Sequence, residues 1–448
     1  MHFVLTNQKR FFDAEGLLAM PAYVLVFLLA AFPMVPALSL LKEGLFVVLL
    51  LTVGAIALLQ GRLRLHPTVL SLTFFLSALS FFFVMRGFFV GALGADQTAS
   101  IYVIWPLVYG FVIAGVLNKR ILMGIASVMV VSTIFLALYS QFYLLTKVHL
   151  LPGERVLELL SFGWKPERFQ LGEGYIFMQY PGLNSLPFLV PFALAALIVF
   201  LPQAQSRPPL KRMWLWMAAL LGILAVPMTG RRALFLVTFT APVLTLVFIS
   251  FQPSQQRRLS RKALFRVTGW GILAVVAAVG CLRLTYGFDF SSLGERFSAG
   301  FTFRAGTGDK GAAYRREQFH ALLDGWTESP LLGAGHGASA YGSIRSKTAP
   351  WEYELYYMAL LYQTGIVGFA AYGAGVFWIY WMGVRIIRAG GDLSALSVAC
   401  LVGLSSFLIA NATNPYLPGL DGILMIFFPL ALINFWMARS ANTPLSHG

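Results

Sequence analysis

The chain has 448 residues, of which 58% are hydrophobic and 11% charged, with a mean hydropathy of +0.74 and a net charge of +15. A soluble domain carries roughly 25% charged residues, so this composition excludes a soluble multidomain enzyme of the same length. Nor does the positive charge make a nucleic-acid binder, because the basic residues are spread over the connections between apolar runs instead of gathering in one patch.

A helix that crosses about 30 Å of hydrocarbon needs roughly 20 apolar residues. Runs of this kind fall near residues 17–41, 45–60, 67–85, 101–117, 121–146, 182–201, 213–229, 233–251, 267–284, 364–382, 393–411 and 420–437. They predict an all-α integral membrane protein with about 12 transmembrane helices, and not a barrel, whose strands would show as alternating segments of about ten residues. The first run, 17–41, contains no charge and reads as an uncleaved span. The expected organisation is five helices in 1–146, a loop over 147–181, four helices in 182–284, a large loop over 285–353 containing amphipathic helices, and three helices in 354–448.

With the N-terminus inside, the connections on the inner side hold 17 basic residues, from Lys9 to Arg439, against the three acids Asp13, Glu15 and Asp392. The other side receives the remaining 16 basic and 15 acidic residues. That asymmetry is the positive-inside pattern, and it predicts cytoplasmic termini with 147–181 and 285–353 facing outward. The longest inner connection, 252–266, has no room for a nucleotide-binding domain. Cys281 and Cys400 both fall in spans and read as core packing.

Long loops in a compact fold tend to carry function, so the chemistry is expected in 147–181 and 285–353. The glycine clusters Gly306–Gly311 and Gly333–Gly337 lack the spacing of a phosphate-binding loop and read mainly as turns. The six histidines form no His-x-x-x-His or His-x-x-Glu-His pair, and no Asp-x-Asp occurs. No metal site is expected.

Three stretches stand out. Thr229-Gly-Arg-Arg-Ala-Leu-Phe235 sets Arg231 and Arg232 between two spans. Arginine is expensive in a membrane without a partner, so these two either snorkel to headgroups or form a planar fork for a diphosphate. Next, Tyr314-Arg-Arg-Glu-Gln-Phe-His-Ala-Leu-Leu-Asp-Gly-Trp326 has Phe319, Leu322, Leu323 and Trp326 at helical spacing, followed by Ser329-Pro-Leu-Leu-Gly-Ala-Gly335. This is an amphipathic helix closed by a Pro/Gly turn, with Arg315 and Arg316 near its start. The third, Tyr353–Gly368, begins with Glu354 and runs uncharged as far as Arg385, longer than one span requires. It is expected to start as a surface helix and turn into the membrane at Gly365. Glu354 then serves either as an ion-pair partner for an outer arginine or as a general base.

Over about residues 210–382 these blocks resemble the O-antigen ligase and O-antigen polymerase family of membrane glycosyltransferases. That family shows a Ser-Arg-Gly-like motif at a span entrance, an Arg-bearing helix leading into Pro-Leu-Leu-Gly-x-Gly, and a His-Asn/Ser-x9-Gly-x-x-Gly segment. Here Gly230-Arg-Arg-Ala233 stands for the first motif. Glu354 falls where ligases carry histidine, with Leu355 where an amide or hydroxyl residue would follow, which favours a polymerase.

The resemblance implies transfer of a glycan, O-antigen or exopolysaccharide, from undecaprenyl diphosphate to a sugar hydroxyl at the periplasmic face of a bacterial inner membrane, with no cofactor. Its implied partners are the undecaprenyl diphosphate-linked glycan, the lipid bilayer and a polysaccharide chain-length regulator, with no nucleic acid. Glu354, Arg232 and Arg316 are the expected catalytic residues, and Arg231, Arg315, Arg304, Arg168, His336 and Tyr357 the expected substrate-binding ones. Which of Arg231 and Arg232 faces the site is open. So are a ligase reaction, passing the glycan to lipid A-core, and a different class of protein, a transporter of lipid-linked glycan; the latter often shows inverted repeats, and none is evident in the sequence.

Overall fold

The structure is a computed structural model that describes residues 2–61, 63–116, 118–163, 168–172, 175–202, 211–286, 310–340 and 349–440. Arg304, Arg345, Lys347 and all of Gly306–Gly311 but its last two residues lie outside them.

Each apolar run folds into helix. In chain order these are α1 (His2–Ala31), α2 (Ser39–Gln60), α3 (Pro67–Phe89), and a broken segment made of α4 (Ala95–Ala99), a π turn (Ser100–Ile104) and α5 (Trp105–Val112). Then follow α6 (Lys119–Lys147), α7 (Glu154–Ser161), the strands β1 (Arg168–Gly172) and β2 (Tyr175–Gln179), α8 (Leu186–Phe200), α9 (Arg212–Thr229), α10 (Arg232–Ile249) and α11 (Ser254–Tyr286). The last four are α12 (Lys310–Glu328), α13 (Tyr356–Ala389), α14 (Gly391–Asn411) and α15 (Leu420–Ser440). Among the described residues ten helical segments are long and apolar enough to cross a membrane, and the apolar part of α1, Gly16–Ala31, is shorter. The protein is an all-α polytopic membrane protein.

Every residue of α8 is buried, as expected for a helix that is apolar all round. It is the centre of the bundle, in contact with α6, α9, α10, α11 and α14. Two ends are distinguished by what joins the helices. At one, Lys119 at the start of α6 pairs with Asp392 in α14, and Asn434 in α15 accepts from the His66 backbone N–H at 2.8 Å. The other holds the 32–38 turn, 182–185, 229–231 and 412–419, tied together by polar side chains.

Three features differ from the sequence reading. The uncharged stretch 17–41 is not one helix: α1 stops at Ala31, because Pro33 and Pro36 cannot continue it and disfavour helix in the residues before them, and the next helical segment starts at Pro36. The connection expected at 252–266 is mostly the first half of α11, which begins at Ser254. Within 147–181 the chain forms an antiparallel hairpin, with Arg168 opposite Gln179 and Gly172 opposite Tyr175.

The long uncharged run after Glu354 does break at Gly365, whose φ of 61° and ψ of −170° are non-helical. The freed backbone groups are satisfied by the Pro330–Gly335 turn. Ala334 and Gly335 N–H donate to the Tyr362 and Gln363 carbonyls at 2.9 and 2.8 Å, while Ile366 and Val367 N–H donate to the Pro330 and Leu331 carbonyls at 2.9 and 3.1 Å. The glycines of this turn are therefore read by backbone, not by a ligand. Gly335 has φ of 95°, and a Cβ there would sit 2.4 Å from the Gly87 nitrogen of α3. Gly335→Ala is expected to undock the turn and destabilise the protein by more than the roughly 1–2 kcal/mol of a left-handed residue alone, read as a lower melting temperature in detergent.

Candidate functional site

The C-terminus of α9 and the N-terminus of α10 meet in a tight turn at Gly230, φ 65°, which puts Arg231 at the cap position of α10 and Arg232 at its first residue. Arg231 Nη1 donates to Asn184 Oδ1 at 3.4 Å and to the Tyr416 hydroxyl at 3.2 Å. Its Nε is buried without a hydrogen-bond partner. Among the described residues no carboxylate pairs with it. Nearby Tyr180, whose hydroxyl contacts Ser140, has its pKa pushed up by burial, an effect the Arg231 charge partly offsets. A half-buried guanidinium held only by neutral acceptors keeps its full charge for an incoming anion.

The second cluster forms where α12 meets the segment before α13. Arg315 Nε lies 2.8 Å from Glu354 Oε2, an ion pair without the angle of a hydrogen bond, and both side chains are partly exposed. Gln318, one turn along α12 and fully buried, fixes the approach by accepting from the Glu354 backbone N–H at 3.0 Å. Glu354 Oε1 makes no hydrogen bond among the described residues. The carboxylate thus has one oxygen engaged by a cation and one available.

The two clusters are connected. Tyr357, in the first turn of α13, donates its hydroxyl to the Leu408 carbonyl of α14 at 2.6 Å and lies beside the Asn411 amide. Asn411 Oδ1 accepts from the Tyr416 and Leu417 N–H groups, each at 2.9 Å, and so shapes the turn that brings Tyr416 to Arg231. Residues from four stretches far apart in sequence therefore converge at one end of the bundle.

The other expected site residues fall as follows. Arg316 is on α12, half-buried, beside Arg315. Arg168 is in β1, its backbone paired with Gln179. Arg304 is outside the described residues. His336 is fully buried, stacked on Tyr102 with ring centroids 4.1 Å apart. Its Nδ1 meets Gln363 Oε1 at 3.3 Å and its Nε2 the Tyr372 hydroxyl at 3.0 Å. Because Gln363 Nε2 is committed to the Ala338 carbonyl, its Oε1 must accept, which places the imidazole proton on Nδ1 and the lone pair toward Tyr372. With both nitrogens occupied and no exposure, His336 docks the turn and does not face substrate.

Burial lowers the His336 pKa from 6.5 to about 4. For a base whose folded pKa is depressed, the unfolded form binds more protons between the two values, so the contribution to stability is complete above pH 6.5 and is lost as pH falls toward 4. The protection factors of amides in 330–338, taken relative to the intrinsic exchange rate at each pH, are expected to fall as pH drops through that window in the wild type and to stay constant in His336→Gln.

Several participants escaped the sequence reading. Arg86, at the end of α3, donates to the Gly333 carbonyl at 2.7 Å and to Ser329 Oγ at 3.1 Å, pinning the turn from the far side. Asn184, Tyr416, Gln318 and the buried pair Lys42–Asp421 are likewise new. A signal existed for Asp421, an acid opening an apolar run as Glu354 does; for the neutral residues there was none.

No family model matches the chain, and no curated protein matches it. What fold and site define is a class: a polytopic all-α membrane protein with, at one end of its bundle, an ion-paired glutamate and an arginine that no carboxylate pairs with among the described residues.

Proposed function

We propose that this protein is a membrane glycosyltransferase that lengthens a lipid-linked O-antigen or exopolysaccharide at the periplasmic face of a bacterial inner membrane, taking its donor from undecaprenyl diphosphate. The observation that carries this reading is the presence, at one end of the bundle, of a guanidinium that no carboxylate pairs with among the described residues, Arg231, and of a carboxylate, Glu354, whose Oε1 makes no hydrogen bond among them. In the transfer, the acceptor hydroxyl oxygen bonds to the anomeric carbon as the bond from that carbon to the diphosphate oxygen breaks. The electron pair leaves on the diphosphate, where Arg231 meets the developing charge. The hydroxyl proton goes to Glu354. Arg315 orients that carboxylate, and Arg232 and Arg316 add positive potential around the leaving group.

Deletion in the native host followed by gel analysis of surface glycans tests the reading. Capped single repeat units are expected for a polymerase; loss of capping with polymer left on the carrier would mark a ligase, and unchanged glycans would remove both. The transporter alternative draws on the break in α13, since broken helices supply ion and substrate sites in such proteins. Here the carbonyls freed by the break are taken by Ala334 and Gly335 of the chain's own turn, which favours the enzyme.

The orientation is checked separately. With Lys310, at the start of α12, replaced by cysteine, a membrane-impermeant thiol reagent is expected to label it in cells with a permeabilised outer membrane; protection would reverse the topology.

A further inference from the structure

The end of the bundle that holds Arg231 also contains a buried ion pair, Lys42–Asp421, and a series of contacts leads from it to the amide that meets Arg231. Asp421, at the start of α15, is buried. Its Oδ1 is 2.6 Å from Lys42 Nζ, and its Oδ2 accepts from the Met34 backbone N–H at 2.8 Å. Lys42 is 2% exposed and gives a second bond to the Phe32 carbonyl at 2.7 Å. Met34 sits at φ 57°, a left-handed conformation unusual for a side chain of its size, and the bond from its N–H to Asp421 holds it there. Its Sδ meets Asn184 Nδ2 at 3.6 Å. Asn184 then turns its Oδ1 to Arg231, the only assignment possible because a guanidinium can only donate. One chain of contacts therefore runs from Lys42 through Asp421, Met34 and Asn184 to Arg231.

We infer that Asn184 is a positioning residue that keeps Arg231 uncancelled: set in place against Met34, it meets the guanidinium with a neutral oxygen, leaving its charge to a diphosphate. This rests on the reading of Arg231 as the diphosphate ligand. Isosteric conversion of Asn184 to aspartate cancels that charge directly, since a carboxylate beside arginine forms a charge-assisted pair stronger than the amide contact it replaces.

Stability and binding separate in opposite directions on measurement. The probe is undecaprenyl diphosphate in detergent micelles, with binding and melting temperature read on the full-length purified protein. Asn184→Asp is expected to melt at or above the wild-type temperature, because it gains an ion pair, yet to bind the probe about tenfold or more weakly. Asn184→Ala, which introduces no charge, should lose less.

Wild-type affinity in Asn184→Asp, a melting temperature for it below that of the wild type, or a loss in Asn184→Ala as large as in Asn184→Asp would overturn the inference while leaving Arg231 as the ligand. Equal binding by the wild type and Arg231→Ala would instead overturn the diphosphate reading itself, and this inference with it.

Discussion

Replacing Arg231 by alanine is expected to lower glycan extension by on the order of 10²–10³-fold, the usual effect of removing one fixed donor from a developing oxyanion, with the protein still present in the membrane. The sequence offers two adjacent arginines at the α9–α10 turn and no means of choosing. The structure distinguishes them, because Arg231 is the one held by Asn184 and Tyr416 with its Nε unpartnered. Arg231→Lys keeps the charge but loses the planar fork and its fixed spacing, so it should retain a fraction of the activity and lose most of the preference for a diphosphate over a monophosphate carrier. The loss should appear mainly in kcat if the guanidinium acts on charge that develops in the transition state, and mainly in KM if it binds donor and transition state equally. Turnover by purified Arg231→Ala within a few-fold of wild type would remove this residue from the leaving-group site and move attention to Arg232.

Much of the scaffold was legible because a bilayer imposes a length. A segment such as Lys119–Lys147 or Gly391–Asn411 must supply roughly 20 apolar residues whatever it packs against, so its existence does not depend on tertiary context. Where context decides, the sequence was ambiguous. The stretch 17–41 reads as one continuous span by hydropathy, and only Pro33 and Pro36 mark the turn that places Met34 and Lys42 beside Asp421. The hairpin of β1 and β2 carried a signal in its β-prone residues on either side of Gly172-Glu-Gly174, within a stretch expected only as a loop.

The site was legible as a set of ingredients and not as pairs. Arg315 and Glu354 could each be nominated from a basic helix start and an acid preceding an apolar run, but that they meet depends on how α12 lies against α13. Lys42 and Asp421, separated by 379 positions in the chain, could not be matched from sequence at all. Neutral residues such as Asn184 and Gln318 announce nothing by type, since their role is to direct a charged neighbour. His336 shows the converse: a histidine in a glycine-rich loop looks chemical in sequence, and in the fold it is a buried donor and acceptor that fastens the loop.

Glu354→Gln is expected to be inserted and folded but slower by roughly 10²–10⁴-fold, the range for loss of a general base. Glutamine preserves the size of the side chain and leaves the bond from the residue 354 backbone N–H to Gln318 in place, so the packing of α12 against the start of α13 is retained; what it cannot do is take a proton. The magnitude separates the two roles of this residue. A partly exposed ion pair such as Arg315–Glu354 contributes only about 0–1 kcal/mol to stability, so a purely structural Glu354 would give a variant with a nearly unchanged melting temperature and nearly unchanged turnover. A base would give the same melting temperature and a large loss of kcat. Arg315→Gln provides the second axis. If Arg315 orients the carboxylate, removing it should reduce kcat less than Glu354→Gln does, and the double variant should be no slower than Glu354→Gln alone, because orientation has no further effect once the base is absent. Assay with lipid-linked repeat units therefore decides the matter: a glutamine variant with near-wild-type turnover would leave Glu354 as the partner of Arg315 and nothing more, and transfer would then proceed by leaving-group stabilisation without base assistance.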